Sequence, residues 1–213
     1  MKDRLGKIWQ GNRFFICFIV LMCLFRSAVA DWNSVPTGSM LPTIVEGDRI
    51  FVDKLAYDVR LPFTHVSLLK LADPQRGDII VFDSEVMNKR LVKRVVGIPG
   101  DVVEMRNNIL RINGEQLVYR DMPAPAPDTD RLENLLGVKH GVRIHNFRSG
   151  FHPVTVPEGH YLVLGDNRDN SADSRVIGFV PRHEIVGRSR SVVISFNYEN
   201  FYLPRPGRFF QSL

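Results

Sequence analysis

A chain of 213 residues that is 44% hydrophobic, 10% aromatic and 24% charged has enough apolar material for one domain with a core, which excludes both a disordered chain and a multidomain assembly. The net charge of +5 raises nucleic acid as a partner, but Lys2, Arg4, Lys7 and Arg13 against Asp3 concentrate the excess at the start, and no basic helix or aromatic-basic stripe follows. Both cysteines, Cys17 and Cys23, lie in one apolar run, so neither a disulfide framework nor a thiolate metal site is available, and no metal or cofactor is expected.

Taken in chain order, a basic segment (1–13) precedes the uncharged run from Phe14 to Phe25, which is a membrane signal. Two readings compete for it. A cleavable secretory signal fits the twelve-residue apolar run followed by Ala28-Val29-Ala30. An uncleaved anchor over 14–30 needs help from flanking residues, because twelve residues cover about 18 Å of a hydrocarbon layer near 30 Å. Arg13 and Arg26 supply it by snorkelling to opposite interfaces. Under either reading the basic end stays in the cytoplasm and residues 31–213 cross.

Beyond residue 30, short β-branched and aromatic runs bounded by Gly, Pro, Asn or Asp replace any long helical period. Strands are predicted at 49–53, 78–82, 91–96, 102–104, 109–112, 116–118, 161–164, 184–188 and 191–196. Asn113-Gly114 supplies the pair of positive φ angles that closes 109–118 into a hairpin. The Pro-rich stretch from Met122 to Asp128 cannot continue a ladder, so 122–157 reads as an insertion or linker, with one short helix at 131–136. The fold class is therefore mainly β: an antiparallel β-sheet domain with a Pro-rich insertion, preceded by one transmembrane helix.

The segment from Ser34 to Thr43 packs hydroxyl residues, Gly38 and two prolines into a loop just past the apolar run. Loops commonly have this composition, yet Gly38 lets the backbone approach a carbonyl, and Thr37 with the Ser39 amide offers two donors beside the Ser39 hydroxyl. A serine nucleophile needs a base. His65, His140, His145, His152, His160 and His183 are scattered without an acidic partner at recognisable spacing. Lys93 instead sits in a strand among aliphatic residues, sharing a face with Leu91 and Val95, while Val92, Arg94 and Val96 take the other. A lysine kept neutral by burial is a competent base; an edge-strand charge that deters aggregation is the plain alternative.

Four ordered blocks then resemble the type I signal peptidases. Residues Pro36-Thr37-Gly38-Ser39-Met40-Leu41-Pro42-Thr43 resemble the nucleophile block, and Gly47 to Lys54 the strand after it. Arg76 to Phe82 with Val92 to Asp101 is similar to the general-base segment, and Gly165 to Arg175 to the last block. The resemblance implies that Ser39 attacks the scissile carbonyl, neutral Lys93 takes its proton, and Ser171 orients the amine. It implies an oxyanion hole from the Thr37 hydroxyl, where the family more often carries Ser, and the Ser39 amide. Asp173 and Arg175 would brace the Ser171 loop, whereas Val35, Met40, Ile50, Val81, Leu91 and Val92 would wall shallow pockets for small side chains.

The same resemblance implies a membrane-bound endopeptidase that removes signal peptides from exported preproteins after Ala-X-Ala sites, at a bacterial inner membrane, with the catalytic domain on the periplasmic side. Ser39 lies thirteen residues after Arg26, a reach of at most about 45 Å, which favours retention of the anchor. The bilayer would thus be a partner as well as the preproteins. A peptidase dedicated to a conjugation or pilus-assembly precursor is one alternative, and a noncatalytic secreted β module is another.

Overall fold

The computed structural model describes residues 2–64, 66–123, 125–145 and 149–213, with only the backbone of 2–10. Helix α1 (Lys2–Ala28) is continuous, beginning well before the expected 14–30 and ending just short of it. Its Gly11–Ala28 stretch, of mean hydropathy 1.5, has no buried residue, touches the domain only through its last turn among the described residues, and is long and apolar enough to cross a membrane. The helix ends where Lys54 Nζ donates to the carbonyls of Arg26 and Ser27 at 2.7 and 3.2 Å, satisfying acceptors that the last turn leaves free. Only Val29 separates it from β1 (Ala30–Ser34).

The next strands are β2 (Asp48–Asp53), β3 (Asp58–Arg60), β4 (Ser67–Lys70), β5 (Ile79–Ser84), β6 (Lys89–Gly97), β7 (Val102–Arg106), β8 (Ile109–Ile112), β9 (Glu115–Gln116) and β10 (Val118–Asp121). Then come β11 (Asp130–Leu135), β12 (Val138–Arg143), β13 (Phe151–Thr155) and β14 (His160–Leu164), the short helix α2 (Ser174–Ile177), β15 (Val180–Pro181) and β16 (Ile185–Asn197). Among the described residues the main sheet runs β1-β2-β16-β5-β6-β14-β15, every pair antiparallel. β5 is central: Ile79, Ile80, Val81 and Phe82 are buried on both faces, as a continuous apolar run between two partners requires. Val81 and Ile79 pack with Val35, Met40, Ile44 and Ile50 on one side, and Ile80 and Phe82 pack with Val95 and Tyr161 on the other.

The hairpin at Asn113-Gly114 forms with φ of 52° and 84° and pairs Ile112 with Glu115. The two predicted strands at 184–188 and 191–196 are one long strand, β16, whose bulges at Ser189/Ser191 and Val192/Ile194 break its alternation. The predicted helix at 131–136 is wrong. Those residues form β11, which pairs β10 on one side and β12 on the other, and Leu136-Gly137 turns the β11–β12 hairpin with φ of 48° and 109°. The leucine spacing of 131–136 suits a helix locally, but two flanking ladders override it. The described residues of Met122–Asp128 join no strand, yet 122–157 as a whole is no linker, because β11, β12 and β13 lie within it.

Candidate active site

The turn that carries Ser39 is held from below by its neighbours. Val35 and Met40 are buried in the core, and Gly38–Met40 winds as a single short 3-10 turn between them, lifting Ser39 to partial exposure. A Cβ at Gly38 would meet Leu41 Cδ1 at 2.8 Å, so a larger residue fits only if the Leu41 side chain shifts. Asn167 fastens it from the other side, its backbone amide donating to the Ser39 carbonyl at 3.1 Å and its side-chain amide to the Gly38 carbonyl at 3.0 Å.

Lys93 reaches Ser39 from β6. Its Nζ and the Ser39 Oγ form a hydrogen bond of 2.8 Å, and Nζ also donates to the Val92 carbonyl at 2.9 Å. Lys93 is only 2% exposed. Burial disfavours the ammonium form and brings the pKa down from 10.5 to about 8, against the opposing fields of Asp173 and Asp166. Each of those carboxylates is itself paired. Asp173 takes a fork from Arg175, with Nε and Nη2 both at 2.8 Å, and Arg94 binds Asp166 through Nε at 2.9 Å and Nη2 at 2.7 Å. The alternation read from sequence thus sends Lys93 and Arg94, adjacent in β6, to different partners, Lys93 to a hydroxyl and Arg94 to a buried carboxylate.

Ser171 stands close by without touching the amine. Its buried Oγ has no hydrogen-bond partner among the described residues. It crowds the same point as the Ser39 carbonyl: a Cβ built on Gly165 would collide with Ser171 Oγ and lie 2.5 Å from Ser39 O. Asp173 orders this loop, accepting the Gly165 amide at 3.0 Å and the Arg175 amide at 3.3 Å while capping α2. Arg175 closes it by donating to the Arg168 carbonyl at 2.5 Å.

Ser39 and Lys93 open on a cavity of about 780 Å³. Val35, Thr37, Met40, Leu91 and Val92 line it, whereas Ile50 and Val81, both fully buried, lie in the core beneath. Thr37 is exposed and extended, with φ −136° and ψ 153°, and its hydroxyl caps nothing. Asn170 and Ala172 complete the wall on the Ser171 side. Among the described residues, Glu85, His183 and Glu184 bring three metal-ligating atoms within 4.8 Å of one another, but none of the three lines this cavity.

The sequence alone assigns no role to the buried polar layer behind Ser39. Asp166 accepts from the Thr43 hydroxyl at 2.5 Å as well as from Arg94. Beyond it, Glu133 receives Arg168 at 2.7 Å and the Tyr119 hydroxyl at 2.5 Å, and His140 Nε2 lies 3.3 Å from Glu133 and 3.7 Å from Asp166. Burial alone would raise the Glu133 carboxyl, but Arg168 and His140 hold it well below the usual carboxylate range. Glu133 and His140 come from β11 and β12, inside the stretch read as an insertion, so their proximity to Asp166 is a product of topology and leaves no local mark in the chain.

Comparison with known proteins agrees with this geometry. The chain is 38% identical over 207 residues to signal peptidase I of Pseudomonas aeruginosa, covering 87% of this chain and 72% of that one. It is 39% identical over 207 residues to signal peptidase I of Pseudomonas fluorescens, with the same coverage. Against signal peptidase I of Bacillus amyloliquefaciens it is 32% identical over 198 residues, covering 92% and 91% of the two chains. The family model described as signal peptidase, peptidase S26, matches residues 8–194, and with that span and these identities the chain belongs to the signal peptidase family.

Proposed function

We propose that this signal peptidase cuts with a two-residue engine, Ser39 as nucleophile and Lys93 as general base. The observation that carries the reading is the 2.8 Å contact between a buried amine and a hydroxyl on a braced turn. A pKa of about 8 in place of 10.5 raises the neutral fraction at pH 7 from about one in three thousand to about one in ten. A neutral amine keeps one lone pair. With an N–H directed to the Val92 carbonyl, that lone pair is free to take the Ser39 proton as Oγ attacks the scissile carbonyl.

The tetrahedral oxyanion is held by the Ser39 amide and the Thr37 hydroxyl, which engages nothing else at the cap. The ammonium formed on Lys93 returns its proton to the leaving amine, and water then releases the acyl group by the reverse path. Ser171 Oγ, buried and without a hydrogen-bond partner among the described residues, meets the Lys93 amine during the cycle and orients it without adding charge. Val35, Met40, Leu91 and Val92 make an apolar wall that accepts small side chains, with the signal peptide laid along it as an added strand. Ile50 and Val81 shape that wall from behind.

Helix α1 anchors the enzyme, with its basic start in the cytoplasm and the β domain on the periplasmic face of a bacterial inner membrane. Substrates tethered to the same bilayer are thereby concentrated near the site. The test is to incubate the detergent-solubilised chain with a membrane preprotein bearing an Ala-X-Ala site, beside its Ser39→Ala form. Cleavage after the second Ala by the parent alone is expected. Equal cleavage by both proteins sinks the assignment.

A further inference from the structure

Of the buried side-chain atoms without a hydrogen-bond partner among the described residues, only Asn33 Nδ2 belongs to a residue that lines the Ser39 cavity. Asn33 lies near the end of β1, where side chains alternate: Trp32 and Ser34 are exposed, Asn33 is half-buried, and Val35, just past the strand, is buried. Its cross-strand partner on β2 is Ile50, which packs with Val35 and Val81 in the core beneath the cavity. Residues directly opposite across an antiparallel pair share a face. Asn33 therefore puts a carboxamide on the face that Val35 and Ile50 make aliphatic.

A buried N–H without an acceptor costs free energy that leucine, of nearly the same shape, would not. The cost is offset when a guest in the cavity brings an acceptor, and the register of a bound peptide says where that acceptor lies. A peptide laid as an added strand sends its first and third side chains before the scissile bond to the same wall, about 7 Å apart. Val35 and Asn33 are separated by the same two-residue step along the chain. Val35, beside the turn that carries Ser39, meets the first side chain. Asn33, one step further back, meets the third.

We propose that Asn33 is a specificity-determining residue, its carboxamide hydrogen-bonding a hydroxyl on the third side chain before the scissile bond. The proposal rests on the Ser39–Lys93 reading and on the peptide lying as an added strand. A hydroxyl both donates and accepts, so it suits a carboxamide, whereas an apolar side chain of equal size leaves the buried N–H stranded. The two pockets then read different chemistry. The first selects for size against an aliphatic wall, and the third favours Ser or Thr over an apolar residue of the same bulk.

The test uses the detergent-solubilised full chain with membrane preproteins that differ only at the third residue before the cut: Thr, Val or Ala. Thr and Val have one shape and differ by a hydroxyl in place of a methyl. In the parent enzyme, kcat/KM for the Thr form should exceed that for the Val form by about 3- to 10-fold, the worth of one hydrogen bond. In Asn33→Leu, where the wall is aliphatic throughout, the ratio should fall to about one or below. A smaller parent ratio overturns the proposal whatever the variant does, and so does a ratio that Asn33→Leu leaves unchanged. Cleavage of the Ala form alone overturns it too and leaves the Ser39–Lys93 reading standing. Equal cleavage of the Ala form by Ser39→Ala overturns both.

Discussion

The backbone amide of Asn167 donates to the carbonyl of Ser39 at 3.1 Å, tying the proposed nucleophile to the loop that also carries Asp166 and Arg168. Its side chain adds the bond to Gly38. Removing the side chain as Asn167→Ala leaves the backbone tie and loosens the turn. We expect kcat to fall by about 10- to 100-fold with KM nearly unchanged, since a misplacement of about 1 Å costs that much. Steady-state kinetics on a short peptide substrate checks this, with circular dichroism confirming the fold.

Lys93→Met should separate activity from stability. The base is lost, and kcat/KM drops by about 10²- to 10⁴-fold. Stability moves the other way. Lys93 has its pKa lowered on folding from 10.5 to about 8, so between those values the unfolded chain binds more protons and stability rises with pH; below about 8 the folded state bears the full penalty of a buried ammonium. Methionine removes that penalty at nearly equal volume, and denaturant unfolding at pH 7 should show a gain on the order of 1–3 kcal/mol. A loss of stability at pH 7 would contradict the burial argument.

The same sign governs rate against pH. Activity should climb about tenfold per pH unit below pH 8 and level above it, as the amine loses its proton. Asp173 pulls the other way, and Arg175 neutralises it. Arg175→Leu bares the Asp173 charge, so the inflection should move to higher pH. A profile that merely drops in height, with its inflection in place, assigns Arg175 to bracing alone.

Gly165 is a close-approach glycine. Gly165→Ala drives a methyl to 2.5 Å from the Ser39 carbonyl, a backbone atom that cannot step aside without moving the nucleophile. Loss of at least about 10² in kcat is expected. Ser171→Ala, by contrast, deletes a hydroxyl that is unpartnered among the described residues. It should leave the melting temperature unchanged or raised while slowing turnover partially, and a full loss of activity would mean that Ser171 does more than orient the amine.

Behind the site, Glu133→Ala leaves the fully buried Arg168 without its carboxylate. The expected cost is about 3–5 kcal/mol in urea unfolding, the penalty of an uncompensated buried charge. A cost under about 1 kcal/mol would show that the layer is dispensable.

Local signals carry β2, β5, β6, β14, β16 and the hairpin at Asn113-Gly114, because β-branched runs and Asn-Gly turns act over a few residues, whereas β1, β3, β4 and β11 to β13 carry no such run. Burial of Lys93 is legible from Leu91, Val92, Val95 and Val96 around it. The identity of its partner is not, since 54 residues separate it from Ser39. The same holds for Glu133 and Asp166, brought to one layer by strands that the leucine spacing at 131–136 disguises as a helix. Leu136-Gly137 escapes notice as a turn because leucine carries no preference for positive φ.

One residue, Val29, joins α1 to β1, and Lys54 clamps the last helical carbonyls. With so short a joint, the β domain begins directly where the apolar helix ends. Under the proposed anchoring by α1, such an enzyme measures as well as cuts: the distance of a small-residue site from the membrane, and not its sequence alone, decides whether it reaches Ser39.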